Sequence, residues 1–95
     1  MRHKIPRDVA AAARKGLRLR AKQKTGNANN REGYVMARRL AQCNVVTTAT
    51  LKKIYAYHQR WEQAEQTEIV KINSLLWGGT AAHSWAEKEL QDENS

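Results

Sequence analysis

Apolar residues recur at steps of three and four positions through the first part of the chain, a spacing that predicts an amphipathic helix. The repeat begins at Ile5 and reaches Leu17, and Pro6 suits the first turn because its missing N–H is not needed there. The opposite face of this helix carries the cations Arg7, Arg14, Lys15, Arg18 and Lys22. We expect a helix of about twenty residues that ends at Gly26, where residues 26–30 have the composition of a turn.

Two further helices are predicted downstream of this turn. Asn30 can cap a short second helix. The buried side of that helix is predicted to comprise Val35, Leu40 and Ala41. After a tight break at residues 43–45, Thr47 can cap a long third helix that ends near Gln66. The apolar stripe of the third helix comprises Leu51, Ile54, Tyr55, His58 and part of Trp61.

The last third of the chain predicts two more helices. A fourth has apolar residues at Ile69, Ile72, Leu75 and Leu76. Gly78 and Gly79 can end it as a C-cap, and Thr80 can cap a last, short helix. Because no segment alternates with a period of two, we expect an all-α fold, a single small domain of about five helices over residues 1–91. Residues 92–95 are expected to form a frayed tail.

Charge is distributed unevenly along these helices. The chain has 95 residues and a formal net charge of +8. Residues 1–60 contain 15 Lys and Arg against 2 Asp and Glu, a net charge of +13. Residues 61–95 contain 2 against 7, a net charge of −5. A chain of this length has room for one domain with a small core. The positive charge is therefore concentrated in the segment 1–60, which is where we look for a binding surface, whereas the segment 61–95 is acidic.

Several kinds of site and of protein are excluded by the composition. A lone cysteine, Cys43, provides neither an internal disulfide framework nor a zinc site of paired cysteines, and we expect it to be a buried thiol in a reducing compartment. No apolar run approaches the roughly 18–20 residues that span a bilayer, so we expect an intracellular protein without a membrane partner. His58 and Glu62 lack the second histidine of a zinc protease, and His58 is expected to be a core histidine. We expect no catalytic residue, no metal and no cofactor, and a protein that is not an enzyme.

The strongest local pattern spans the second and third helices. Ala41, followed by Val46-Thr47-x-x-Thr50-Leu51-x-Lys53, matches the spacing of a helix-turn-helix: a small residue between the helices, a capping hydroxyl and an apolar plug. A DNA-reading version would place Thr48, Ala49, Lys52 and Lys53 in the groove, with Arg38 and Arg39 near phosphates. The same pattern is also typical of an ordinary packed corner between two helices.

Three interpretations of the basic face remain open: contact with nucleic acid, contact with an acidic protein surface, and a solvated face without a partner. Phosphate contact requires clustered Lys and Arg, which this segment has. The candidate nucleic-acid-binding residues are Arg14, Arg18, Lys22, Arg38, Arg39, Thr48, Lys52 and Lys53. A basic body next to an acidic C-terminal third also allows a homo-oligomer.

Two tryptophans near the C-terminus form a compact motif with two glycines. We interpret Trp77, Gly78, Gly79 and Trp85 as structural, because a buried tryptophan removes some 200 Å² from water in a chain that has no Phe. The motif is Leu76-Trp77-Gly78-Gly79-Thr80-Ala81, followed by Trp85-Ala86.

This motif, together with Ile5-Pro6-x-x-Val9, Ala13-Arg14-Lys15-Gly16-Leu17 and Val46-Thr47-x-x-Thr50-Leu51-Lys52-Lys53-Ile54, resembles small, mostly uncharacterised proteins or modules encoded by tailed bacteriophages. Thr80 stands where those proteins have Asp, and the loop at residues 65–73 is shorter here. The resemblance implies a phage origin, with virion assembly or DNA packaging as the context. It also implies the host cytoplasm of an infected cell, or the virion, as the location.

Overall fold

The computed structural model describes residues 2–22 and 31–94. Its elements are β1 (Arg2–Lys4), α1 (Arg7–Lys22), α2 (Arg31–Gln42), β2 (Val45–Thr47), α3 (Thr48–Trp61), α4 (Glu68–Leu76) and α5 (Gly79–Asn94). The predicted all-α fold of about five helices is confirmed, since 79% of the structure is helical. The expected stop at Gly26 and the cap at Asn30 lie outside the described residues. No helix within the described ranges is long and apolar enough to cross a membrane.

A small antiparallel sheet, which the sequence did not predict, joins the start of the chain to the α2–α3 connection. β1 and β2 are three residues each and pair His3 with Val46 at their centre. The backbone N–H of Ile5 extends the pairing by donating to the carbonyl of Asn44 at 2.9 Å. Strands this short give no alternating pattern that could be recognised in a sequence, because their pairing depends on residues far apart in the chain.

Helix α1 is the centre of the packing. It packs on α2, α4 and α5, while α3 packs mainly on α5. A Cβ atom built on Gly16 would lie 2.8 Å from the backbone nitrogen of Leu76, so glycine is what allows α1 and α4 to approach this closely. The core is formed by Ile5, Val9, Ala13, Met36, Ala37, Leu40, Val46, Leu51, Ile54, Ile72, Leu76, Trp77, Ala82 and Ala86.

The predicted buried side of α2 was partly wrong. Leu40 is buried as expected, but Val35 is 50% exposed and Ala41 is only half-buried. The buried face instead includes Met36 and Ala37, together with Gly33. α2 presents this face to α1 and α4. Its exposed cations, Arg31, Arg38 and Arg39, therefore lie on the side of Val35.

The boundaries of the last three helices differ from the predictions. α3 ends at Trp61 rather than near Gln66, and Thr67 then caps α4 by accepting from the N–H of Val70 at 3.3 Å. The last helix is long rather than short: α5 begins at Gly79, so Thr80 lies inside its first turn instead of at its N-cap.

Helix α5 includes most of the segment 92–95 that was expected to form a frayed tail, since it continues to Asn94. The side chain of Glu93 accepts a hydrogen bond from Thr48 at 3.0 Å, which anchors this end of the helix to α3.

Candidate nucleic-acid interface

The outer face of α2 is the centre of the positive surface. Arg31, Val35, Arg38, Arg39 and Gln42 are all exposed, and steps of three and four residues place them on one side of the helix. The opposite side is held against α1 and α4 by Met36, Ala37 and Leu40, so the direction of the outer face is fixed by the core. One acidic residue of α2, Glu32, is also exposed.

One tyrosine holds an arginine from each of the first two helices. The guanidinium of Arg20 in α1 lies 4.7 Å from the centroid of the Tyr34 ring, and that of Arg38 in α2 lies 5.8 Å from it. Nη1 of Arg38 also donates to the Tyr34 hydroxyl at 3.2 Å. A cation over an aromatic face is positioned without losing its charge. Tyr34 therefore orients two positive groups at the α1–α2 boundary while leaving them charged.

A groove borders α2 at its C-terminal end. Its volume is about 540 Å³, and its cations are Lys4, Arg7 and Arg14, from the N-terminal segment and α1. The α2 side is formed by residues 41–44, and this space is called the α1–α2 groove below. The exposed Cys43 lies on this wall, so the expectation of a buried thiol was wrong. Its position in the connection before β2, instead of inside a helix interface, explains the exposure.

A second groove lies on the other flank of α2, toward α3. It has a volume of about 320 Å³ and is called the α2–α3 groove below. Arg31, Arg39 and Lys53 supply its positive charge, while Val35, Met36 and Trp77 supply its apolar wall, with Glu32 at the rim. Arg39 is fixed by donating from Nη1 to the hydroxyl of Thr50 at 3.3 Å. Cations from two helices thus converge on one space.

The predicted residues of α1 line up beside this surface. Arg14, Arg18 and Lys22 are exposed and spaced by four residues, so they follow one stripe along the helix. Arg14 is the member that reaches the α1–α2 groove. The stripe and the outer face of α2 belong to two helices that pack directly on each other.

The corner between α2 and α3 contains the predicted cap and plug in a different setting. Thr47 is the N-cap of α3 and accepts from the N–H of Thr50, as predicted, and Leu51 is fully buried. The connection contains strand β2, however, and the main packing partners of the two helices differ: α1 and α4 for α2, α5 for α3. Lys53 faces the α2–α3 groove, and Lys52 is exposed. The corner thus presents Lys53 beside the outer face of α2.

Thr48 is the predicted binding residue that the structure places elsewhere. Its hydroxyl donates to the carboxylate of Glu93 at 3.0 Å and lies 3.0 Å from Nε2 of His3. Nε2 of His3 is in turn 3.1 Å from the same carboxylate, and Glu89 lies 3.9 Å from Nδ1. The hydroxyl of Thr48 thus bonds within the protein, in a junction formed by His3, Thr48 and Glu93 beside the acidic end of α5. A phosphate would meet repulsion at this position.

Carboxylates are scarce beside the cations of the two grooves. Among the described residues that line these grooves, Glu32 is the one carboxylate. Acidic residues concentrate instead on α5, which carries Glu87, Glu89, Asp92 and Glu93 against a single Lys88. Cations concentrated on α1 and α2 and carboxylates concentrated on α5 make the molecule dipolar, and such a field steers anionic partners toward the basic side.

Aromatic side chains form a separate cluster behind the α2–α3 groove. The rings of Tyr57 and Trp77 are stacked, with centroids 4.5 Å apart and an angle of 5° between planes. His58 lies edge-on to Tyr57, binds the carbonyl of Trp77 through Nε2 at 3.0 Å, and stacks on His83. The expected core histidine is therefore confirmed: His58 is buried and has a hydrogen-bond partner.

Burial controls the ionisation of this cluster. Desolvation lowers the pKa of His58, and the adjacent His83 lowers it further, whereas the hydrogen bond to the Trp77 carbonyl acts in the opposite direction. Desolvation also raises the pKa of Tyr57 to about 12. Both side chains are therefore neutral at physiological pH.

These rings border a third groove, of about 230 Å³, called the aromatic groove below. Its wall includes Tyr57, His58, Trp61 and His83, with the polar side chains Glu62, Gln66, Ser74 and Thr80 among them. Trp61 is 44% exposed, although the sequence had assigned part of it to the apolar stripe. Within the described residues, no group of three or more His, Cys, Asp or Glu is arranged to hold a metal ion.

The tryptophan motif sits where α1, α2, α4 and α5 meet. Trp77 is buried and Trp85 is half-buried. Gly78 and Gly79 have φ angles of 93° and 71°, in the left-handed region that glycine adopts without strain. A Cβ atom on Gly78 would lie 2.6 Å from Cβ of Ala82 and 2.8 Å from Cγ1 of Val9, so no side chain fits there.

Comparisons with protein-family models, with curated proteins and with solved structures found no match to this chain.

Proposed function

We propose that this protein binds nucleic acid by contacting backbone phosphates with the outer face of α2 and the two grooves on its flanks. The observation that carries the proposal is the position of the cations. Arg31, Arg38 and Arg39 project from α2, Lys4, Arg7 and Arg14 line one groove beside it, and Lys53 lines the other. Such an arrangement of Lys and Arg suits a polyanion that passes across both helices.

The physical basis of this binding is the release of counterions from the nucleic acid. Each phosphate neutralised by Lys or Arg contributes a slope of about −0.9 to the dependence of log K on log salt for duplex DNA. Contacts to phosphate oxygens carry no base information, so affinity should depend little on sequence. A Kd of about 10⁻⁴ to 10⁻⁶ M near physiological salt is the range for such binding, with tighter binding at lower salt.

A charge-reversal pair on α2 tests the interface. Arg38→Glu with Arg39→Glu should weaken binding to a random-sequence duplex by more than about tenfold and reduce the salt slope by about two. Lys71→Glu with Lys88→Glu, on α4 and α5, makes the same change in net charge on exposed sites away from the grooves. That control should retain affinity within about threefold, as measured by fluorescence anisotropy. Equal losses in both variants would show that net charge alone, and not this surface, governs binding.

A second reversal asks whether α3 reads the major groove. Lys52→Glu with Lys53→Glu is compared with Arg14→Glu and Arg18→Glu in the same titration. Groove reading by α3 predicts a larger loss, and a loss of sequence preference, for the α3 pair. A loss for the α3 pair no larger than that for the α1 pair would assign all four residues to phosphate contact.

The second candidate function is the binding of an acidic protein surface. It is supported by the exposed, apolar Val35 between Arg31 and Arg39 in the α2–α3 groove, because an apolar centre within a polar rim is typical of protein interfaces. The two functions differ in one simple result. Absence of binding to duplex and single-stranded nucleic acid at about 50 mM salt would reject the first and favour the second.

We place this activity in a tailed phage, as a protein that acts in the host cytoplasm or in the virion. The support for this setting is the resemblance of the Leu76–Ala81 motif and Trp85-Ala86 to phage modules. Affinity capture from infected cells tests it. Recovery with phage DNA or with capsid proteins would support the setting, and recovery with neither would argue against it.

A further inference from the structure

One face of α3 continues from the basic α2–α3 groove to the aromatic groove. Lys53, Tyr57, Arg60 and Trp61 are spaced by four, three and one residues, which places them on the same side of the helix. Lys53 lines the α2–α3 groove, whereas Tyr57 and Trp61 line the aromatic groove. Lys53, Arg60 and Trp61 are exposed, and Tyr57 is half-buried. Cationic and aromatic side chains therefore alternate along one exposed row.

A pair of stacked rings links the two grooves. Trp77 lines the α2–α3 groove, and Tyr57, stacked on it at 4.5 Å, lines the aromatic groove. Trp61 follows Tyr57 on the same row, with ring centroids 6.3 Å apart and an angle of 37° between planes. A chain that leaves the α2–α3 groove at Lys53 and follows α3 thus meets the exposed ring of Trp61 after about two helical turns.

The aromatic groove offers hydrogen-bonding groups around its rings. Ser74 and Thr80 supply hydroxyls, and Gln66 supplies an amide. The carboxylate of Glu62 can accept from an N–H group of a base, such as N3–H of thymine. His58 is neutral because burial lowers its pKa. A planar, uncharged ring with polar edges matches this lining better than a phosphate does, since Glu62 would repel a phosphate.

From this row we infer that the protein takes single-stranded nucleic acid in preference to duplex, with phosphates at Lys53 and Arg60 and an unpaired base stacked on Trp61 in the aromatic groove. The inference rests on the proposed function and adds the form of the substrate to it. In a duplex the bases are already stacked and paired, so they cannot reach Trp61. Combining a cationic track with exposed rings is the usual means of binding single strands without sequence preference.

The test compares two nucleic acids and three variants of the whole chain. Anisotropy titrations use an oligothymidine and a random-sequence duplex of equal length, at about 100 mM salt. Wild-type protein should bind the single strand at least about fivefold more tightly. Trp61→Ala should weaken single-strand binding by about tenfold, remove the preference and leave duplex binding unchanged. Trp61→Phe, which keeps a ring, should retain most of the single-strand affinity.

Ile69→Ala is the matched control, because Ile69 is 43% exposed against 44% for Trp61 and does not line the aromatic groove. It should bind both nucleic acids as wild type does. Stacking gives a second readout: oligothymidine should quench the tryptophan emission of the wild type, and this quenching should fall in Trp61→Phe although binding persists. Circular dichroism of each variant establishes that it is folded.

The possible failures are distinguishable. Equal affinity for both nucleic acids in wild type, with no change in Trp61→Ala, would overturn the stacking inference and leave phosphate binding intact. No binding to either nucleic acid would reject the proposed function itself. Retained single-strand preference in Trp61→Ala would show that the preference has another source.

Discussion

The α1–α2 pair and the α3–α5 part of the molecule bury different kinds of residue. The buried residues of α1 and α2 are mostly small, with Ala13, Gly16, Gly33 and Ala37 among them. The other part packs rings: Tyr57, His58 and Trp77 stack on or against one another, and Trp85 is half-buried nearby. Small residues allow close helix packing, as where Gly16 of α1 meets Leu76. Of the Lys and Arg side chains of α1 and α2, Arg20 is half-buried and the others are exposed. The close packing and the positive surface therefore use opposite faces of the same two helices.

The same comparison shows which part stabilises the other. Small residues remove little apolar area from water, and buried area is the main source of stability. The α1–α2 pair therefore depends on the tryptophan motif, whose Gly78 lies against Val9 of α1 and near Leu40 of α2. The binding proposed for the basic surface thus relies on Gly78, which lies outside that surface.

The largest effect on stability is expected from a substitution at Gly78, through which the α1–α2 pair contacts the tryptophan motif. Gly78→Ala should lower the free energy of unfolding by about 3 kcal/mol, since it adds strain at a positive φ and a Cβ atom 2.6 Å from Ala82. Urea unfolding followed by circular dichroism measures it. Gly79→Ala, with a closest contact of 3.2 Å, is the milder comparison and should cost less. If Gly78→Ala lowered the free energy of unfolding by less than about 0.5 kcal/mol, the stability of the α1–α2 pair would not depend on the tryptophan motif.

The second effect compares neighbouring residues of α2. Met36→Ala should cost about 2–3 kcal/mol because Met36 is buried, whereas Val35→Ala should cost less than about 0.5 kcal/mol because Val35 is half exposed. Thermal unfolding of both variants checks the difference. The reverse order would mean that α2 presents the face predicted from sequence, and the assignment of the outer cations would change with it.

A third, smaller effect concerns the N-cap that starts α3. Thr47→Ala should lower the free energy of unfolding by about 1 kcal/mol, because the N–H of Thr50 loses its hydroxyl acceptor at 3.3 Å. Thr67→Ala removes the equivalent cap of α4 and provides the comparison. Thr47→Ser, which keeps the hydroxyl, should retain the wild-type value in chemical denaturation. No loss in Thr47→Ala would indicate that β2, and not the cap, determines where α3 begins.

The smallest effect is a pH dependence confined to the aromatic part. Burial lowers the pKa of His58 in the folded state, so the unfolded chain binds a proton more readily. This contribution to stability is therefore present above pH of about 6.5 and is lost as the pH falls from there toward the folded pKa. His58→Gln keeps an N–H donor for the Trp77 carbonyl and removes the titration. The difference in unfolding free energy between wild type and variant, measured from pH 7 to 5, should decrease as the pH falls. A constant difference would contradict the burial of a neutral imidazole.

Local signals were sufficient for part of this structure. The cap at Thr47 could be predicted because a hydroxyl and an N–H three residues later interact within one turn, whatever the rest of the chain does. The helical spacing around Leu51 and Ile54 predicted α3 for the same reason, and both residues are buried. The two faces of α2 could not be chosen this way, since Val35 and Met36 are both apolar and only the positions of α1 and α4 decide between them.

The candidate site also has a part that local sequence patterns predict and a part that they do not. Clustered Lys and Arg predicted a basic surface, but not that Lys53 shares a groove with Arg31 and Arg39. The stack of Tyr57 on Trp77 joins residues twenty positions apart, so no local spacing in the sequence could predict it. Thr48 was assigned to the interface by the helix-turn-helix pattern, although its partners, His3 and Glu93, are each 45 positions away.

Those separations have a consequence for the order of folding. The junction of His3, Thr48 and Glu93 closes two loops of 45 positions, and the entropy of closing a loop rises with its length. The helices, whose contacts are local, should therefore form before this junction does. We expect Glu93→Gln to accelerate unfolding while leaving the refolding rate almost unchanged, a φ-value near zero. Stopped-flow measurements would check this, and a slowed refolding rate would mean that the ends of the described chain come together early. On this account the junction forms after the helices, and a spectroscopic probe placed beside it would report only molecules in which the distant parts of the chain have already come together.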